Sequence, residues 1–220
     1  MTDSLKTEKR AAIVLFLIMA GLSLWGRMAL PDVPMAVHFD AMGVANGFMP
    51  RDPALLLMPG VGLGLLVVLL WIIPAVMPKS APVERSAAAF GACTLAVLLL
   101  LTVIHGALVL SAAGVIMDHL RIIHGGAGLL LIVIGNYLPK MRRNYIMGLR
   151  TPWTLADERV WDRTHRLGGP VFMMAGLAIV LAAILLPVTW QVGVLLTAVL
   201  GAAGWSFVYS YGVAKGLKQI

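Results

Sequence analysis

An all-α membrane protein, a six-transmembrane helical bundle with both termini cytoplasmic, is the fold class this sequence predicts, on three observations. Apolar residues fill 60% of 220 positions and charged residues 12%, with a mean hydropathy of +0.92. A soluble domain of that composition would lack polar cover for its surface. Six segments are long and apolar enough to cross about 30 Å of hydrocarbon at about 1.5 Å per helical residue. The basic residues, finally, distribute so unevenly across the connections that one orientation is strongly favoured.

The spans are expected near 11–30, 54–77, 86–110, 120–138, 168–187 and 190–213. The first could suggest a secretory signal, but its apolar run is long for one and no small-residue cleavage site precedes Pro31, so it is read as a retained span. Short connections at 78–85 and 187–191 predict two antiparallel helical hairpins. Longer ones at 31–53 and 139–167 have room for function. Lys6, Lys9, Arg10, Lys79, Arg85, Lys140, Arg142, Arg143, Arg150, Arg159, Arg163, Arg166, Lys215 and Lys218 fall on one side, and only Arg27, Arg51 and Arg121 on the other. The first group belongs in the cytoplasm of a bacterial cell (inner) membrane. Two regions follow: 1–85, with two spans around the extracytoplasmic loop, and 86–220, with four spans around the cytoplasmic loop. The net charge of +7 sits beside spans, so it suits lipid headgroups and gives no reason to invoke nucleic acid. The single Cys93 provides neither a disulfide framework nor a thiolate metal cluster.

The cytoplasmic loop is charge-dense within an apolar chain: 144–166 reads NYIMGLRTPWTLADERVWDRTHR. Thr154 is expected to cap a helix from Leu155, with Asp157 and Glu158 at its positive end. On that helix Asp162 and Arg166 can pair, Trp161 and His165 share a face, and Gly168, Gly169 and Pro170 should bend or break it before the fifth span. From residue types alone, an interfacial amphipathic helix anchored by Trp153 and Trp161 is the simpler reading.

Residues Asn144, Gly148, Leu149, Arg150, Thr151, Pro152, Trp153, Thr154 and Leu155, followed by Val160, Trp161, Thr164, His165 and Arg166, resemble the signature of the SdpI family, and Gly135, Asn136 and Pro139 also fit. The outer loop, with Pro31, Pro34, His38, Phe39, Gly43, Gly47 and Phe48, resembles the N-terminal domain of unknown function often found beside that signature. Asn46 stands there where many relatives are expected to carry an acidic residue. The resemblance implies an integral membrane immunity and signalling protein. It would confer resistance to a secreted peptide or protein toxin, and its signature surface would hold a cytoplasmic repressor.

Outside the signature, His38 and Asp40 share a side of an extended segment. They are read either as part of a compact Pro- and Gly-rich cap, which is favoured, or as half of a metal site completed by Asp118 and His119. Gly43 and Gly47 belong to the same loop. His105, His124 and Asn136 lie in apolar runs and are expected to face the bundle interior. His124 with Gly125, Gly126 and Gly128 marks a close helix crossing, and Gly60 with Gly64 a second. The chain carries no recognised catalytic motif, and no cofactor or metal is expected. A small membrane transporter or metal-dependent membrane enzyme using His38, Asp40, His105 or His124 is the alternative, weakened because no acidic or basic residue lies centrally in a span. Oligomeric state is not legible.

Overall fold

A computed structural model describes residues 6–68 and 86–217. The helix α1 (Lys6–Ala29) leads into a β-hairpin, β1 (Met35–Phe39) and β2 (Ala45–Met49), and then α2 (Arg51–Val67). After these come α3 (Ala87–Ala112), α4 (His119–Tyr137), a 3-10 turn at Leu138–Lys140, the short α5 (Pro152–Ala156), α6 (Glu158–Leu185) and α7 (Val188–Ala214). Among the described residues, five helices, all except α2 and α5, are long and apolar enough to cross a membrane. The chain is therefore a multi-pass membrane protein. The second expected span is described only as far as residue 68; its remainder, the 78–85 connection, Lys79 and Arg85 lie outside the described residues.

Glycines set the tightest helix crossing. A Cβ on Gly135 of α4 would lie 2.7 Å from the Gly169 carbonyl oxygen of α6, and one on Gly169 would lie 2.8 Å from the Gly135 oxygen. Seven residues along each helix the contact repeats, Gly128 standing 2.7 Å by the same measure from the Gly176 oxygen. The order reverses between the helices, so they run antiparallel with their backbones in direct contact, as small residues permit in lipid. The expected crossing at Gly128 is present. The expected one at Gly60 and Gly64 is not found among the described residues: a side chain at either would meet nothing of them within 4 Å, whereas Gly62 is pressed on Met19 of α1.

Buried polar groups join the other helices. Ser23 of α1 donates to the Leu55 carbonyl of α2 at 2.6 Å and lies 3.0 Å from His105 Nε2 of α3. His124 meets Gln191 Oε1 of α7 at 3.1 Å. Both histidines face inward as expected. Asn136 does not; it is exposed on α4.

The outer loop corrects the all-α expectation. Asp40 begins its turn by accepting from the backbone N–H groups of Met42 (2.9 Å) and Val44 (3.0 Å), and Gly43 takes the left-handed conformation at φ +81° that such a three-residue hairpin loop requires. Gly47 faces His38 across the strands, where a Cβ would lie 2.8 Å from the His38 Cβ. His38 itself bonds Asn46 Oδ1 through Nδ1 at 2.6 Å. Rather than His38, it is Phe39 that reaches α4, stacking on His119 at 4.2 Å, while Asp118 caps α4 and pairs with Arg121 at 2.7 Å. Among the described residues, no three His, Cys, Asp or Glu side chains come together to hold a metal. His38, Asp40, Gly43 and Gly47 thus have structural explanations as makers of a hairpin whose Met35 packs with Leu30, Leu55 and Val109.

Arg121 also reaches the last turn of α6, donating to Ala183 O (2.8 Å) and Ile184 O (2.9 Å). Those carbonyls have no partner within the helix, and a guanidinium suits its negative end. Arg27 pairs with Asp52, which also pairs with Arg51 at 2.9 Å. The Arg51 guanidinium, with help from Arg27, holds the Asp52 carboxyl below its ordinary range. Every basic residue placed at the hairpin end therefore has a carboxylate beside it.

Two substitutions separate the glycines. Gly135→Ala is expected to destabilise by ~1–3 kcal/mol, because backbone cannot yield as a side chain can. Gly64→Ala, in open space on a helix, should be neutral or stabilising by up to about 1 kcal/mol. Melting temperatures in detergent micelles distinguish the two directions.

Candidate functional site

The signature segment folds as a cap over the bundle end opposite the hairpin. Its first turn is built by Asn144, whose Oδ1 accepts from the N–H groups of Ile146 (2.8 Å) and Met147 (2.9 Å) while Nδ2 donates to Arg142 O (2.8 Å). Gly148 follows at φ +112°. A Cβ there would lie 2.5 Å from His165 Nε2 and 3.0 Å from the Trp161 ring, so glycine is needed for both conformation and space.

Trp161 and His165, one turn apart on α6, stack at 3.9 Å beneath that glycine and are buried. Trp161 donates its indole N–H to Met141 O at 2.8 Å. His165 Nδ1 donates to Trp161 O at 2.9 Å, which leaves Nε2 bare to accept from the Leu149 N–H at 2.9 Å. These partners select a neutral imidazole protonated on Nδ1; a second proton would point at a donor. The histidine is thereby committed to holding the loop on α6.

Further along, Thr151 and not Thr154 is the helix cap. Thr151 Oγ1 accepts from Thr154 N–H (3.2 Å) and Thr154 Oγ1 accepts from Thr151 N–H (2.8 Å), a reciprocal capping box around Pro152 in the first turn of α5. Thr151 Oγ1 donates to Ser210 Oγ of α7 at 2.9 Å, which donates to Phe207 O, also at 2.9 Å. Trp153 packs edge-on against Phe207 and Tyr211, each at 5.0 Å. Arg143 closes the other end of α5 through Leu155 O (3.3 Å) and Ala156 O (3.2 Å).

Asp157 is extended and caps α6, which then runs unbroken through Gly168, Gly169 and Pro170 to Leu185. The expected break fails because these residues serve packing: Gly168 admits Leu149 and Gly169 admits the α4 backbone and Pro139. Pro170 removes only the bond to Arg166, an exposed residue. No ion pair joins Asp162 to Arg166 among the described residues, and both are exposed. An interfacial anchor is likewise ruled out for Trp161, which is fully buried.

The signature thus divides. Asn144, Thr151, Thr154, Trp161, Thr164 and His165 are buried, the Thr164 hydroxyl having no partner among the described residues. Trp153 and Gly148 are half-buried, while Arg150, Pro152 and Arg166 are exposed. Arg150 donates to Tyr145 O at 2.9 Å, and Tyr145 is 78% exposed beside it. Sequence reasoning missed Met141 and Ser210, which accept from Trp161 and Thr151. Ser206 and Ser210, four apart in an apolar helix, were the available signal for the last.

This cap lies within the part of the chain that comparison identifies: residues 140–210 match the model of the SdpI/YfhL protein family. This part of the chain is an SdpI-family region. Over 54 residues it is 43% identical to the "Immunity protein SdpI" of Bacillus subtilis (strain 168), an alignment covering 24% of this chain and 26% of that protein. The chain thus spans about a quarter of the length of the curated relative it matches. No solved structure matches. The SdpI region comprises the loop after the 3-10 turn, α5, α6 and most of α7, so the cap and the two helices on which it rests form one matched unit.

Cap geometry sorts the expected effects of substitution. Gly148→Ala should lower the melting temperature sharply, and Trp153→Ala should also lower it, since that ring packs on α7. Arg150→Ala should leave melting unchanged within the ~0.5 kcal/mol usual for surface sites. Thermal denaturation of the three purified variants checks the order.

Proposed function

We propose that this protein is an immunity and signalling protein of the bacterial cell membrane, giving resistance to a secreted toxin, with the cap in the cytoplasm as its output surface. The observation that carries the reading is the SdpI region itself: its polar signature is folded inward and leaves Arg150, Arg166 and Tyr145 on the surface. Lys140, Arg142, Arg143, Arg159 and Arg163 lie at the same end, which the positive-inside rule assigns to the cytoplasm. The hairpin then faces outward, where a toxin arrives.

Coupling requires two states that toxin and a cytoplasmic repressor bind unequally. α6 supports such coupling because it is continuous, about 42 Å long, with Trp161 and His165 at one end and the carbonyls gripped by Arg121 at the other. Sequestration of a repressor on the exposed arginines belongs to this same proposal.

Cysteine labelling tests the orientation. In a Cys93→Ala background, a cysteine at Ala45 should react with an impermeant reagent outside intact cells and one at Ala156 should not; the opposite pattern places the cap outside.

Immunity is tested in a Bacillus subtilis strain lacking its own SdpI, grown in medium conditioned by the parent strain. Expression of this protein should restore survival. Replacing Arg150 and Arg166 together by alanine should keep membrane abundance but lower survival about tenfold, the effect of a 1.4 kcal/mol loss in a binding step. No gain in survival from protein present in the membrane would overturn the reading.

A further inference from the structure

An apolar groove of about 440 Å³ lies between α1 and α2, remote from the SdpI region. That volume lies within the range of small-molecule sites, roughly 300–1,000 Å³. Phe16 and Leu24 line it from α1, Leu56 and Leu63 from α2. Gly60 opens it: among the described residues nothing lies within 4 Å of where its side chain would be.

Polarity is confined to one end. Arg27 and Asp52 stand at the rim, while Ser23, the remaining polar residue of the lining, already donates its hydroxyl proton to Leu55 O. Asp52 is shared between Arg27 and Arg51, yet the Arg27 side chain remains 63% exposed. Its guanidinium has N–H groups left to donate, in the geometry that phosphate accepts.

From this juxtaposition we infer that the groove is a phospholipid site, with one acyl chain lying between α1 and α2 and the phosphate on Arg27. A peptide fits it poorly. An extended backbone would find no partners for its N–H and C=O groups along apolar walls, and a helix with side chains is about 10 Å wide. Leu24, Leu56 and Leu63 are also partly exposed on outward faces of membrane-crossing or apolar helices, so bilayer lipid meets the groove first.

The test uses the full chain in dodecylmaltoside micelles doped with dioleoyl phosphatidylglycerol, with bound lipid counted by native mass spectrometry. Wild type should retain one phospholipid in preference to uncharged dioleoylglycerol. Gly60→Phe, which projects a ring into the groove from a position where a Cβ meets nothing within 4 Å, should weaken retention at least about tenfold, a loss of 1.4 kcal/mol, with an undiminished melting temperature. Arg27→Gln should weaken phosphatidylglycerol retention while leaving dioleoylglycerol unchanged. Leu181→Phe, on the exposed face of α6, should retain as wild type does. Equal retention in wild type and Gly60→Phe, an equal loss in all variants, or equal binding of the two lipids by wild type would overturn the site.

Discussion

Direct backbone contact between α4 and α6 is the constraint on which the cap depends. Four glycines replace the side chains that would otherwise hold the two helices apart. With α6 drawn onto α4, Pro139 meets Gly169 and the 3-10 turn ends beside Trp161, whose indole then reaches Met141 O. Leu138, Met141 and Trp161 form one buried cluster with Ala89 and Cys93 of α3. A larger residue at Gly135 or Gly169 would separate the helices just where the signature loop is seated.

Why so polar a segment belongs on an apolar bundle follows from its own backbone. Loop N–H and C=O groups placed against a bundle end have little water to bond, and each left unpaired costs free energy. Asn144, Thr151, Thr154, Trp161 and His165 supply those partners at Ile146, Met147, Leu149, Thr151, Thr154 and Met141. Most signature polarity is therefore consumed in folding the cap, and the arginines that remain exposed are the residues free to meet something else.

Five of the expected spans were legible because hydropathy and length are properties of contiguous sequence, and the inward-facing His105 and His124 because buried polar groups are costly in lipid. The hairpin was not. Its strands are five residues each with interrupted register, and Asp40 and Gly43 were weighed as ligands or cap residues when their spacing spelled a turn. Local rules also failed at Gly168–Pro170, where breaker residues lie in a continuous helix. The decisive contacts there, Leu149 and the α4 backbone, are distant in sequence. Thr151 lost the cap assignment to Thr154 for the opposite reason: the reciprocal Thr-x-x-Thr pattern was local and readable, and Pro152 in the first turn favoured the earlier threonine.

One consequence of the glycine crossing concerns motion. At its closest points α6 meets α4 backbone to backbone, and the Ile132, Met173 and Val180 side chains fill the space that the glycines leave. Helix shifts of about 1–2 Å are a common currency of switching. Arg121 holds the far end of α6 through two carbonyls, while at the near end the loop is held by the Leu149–His165 and Trp161–Met141 bonds. A displacement of α6 at the hairpin end must therefore be transmitted to the Trp161–His165 stack, because the helix between them has no break at which to absorb it.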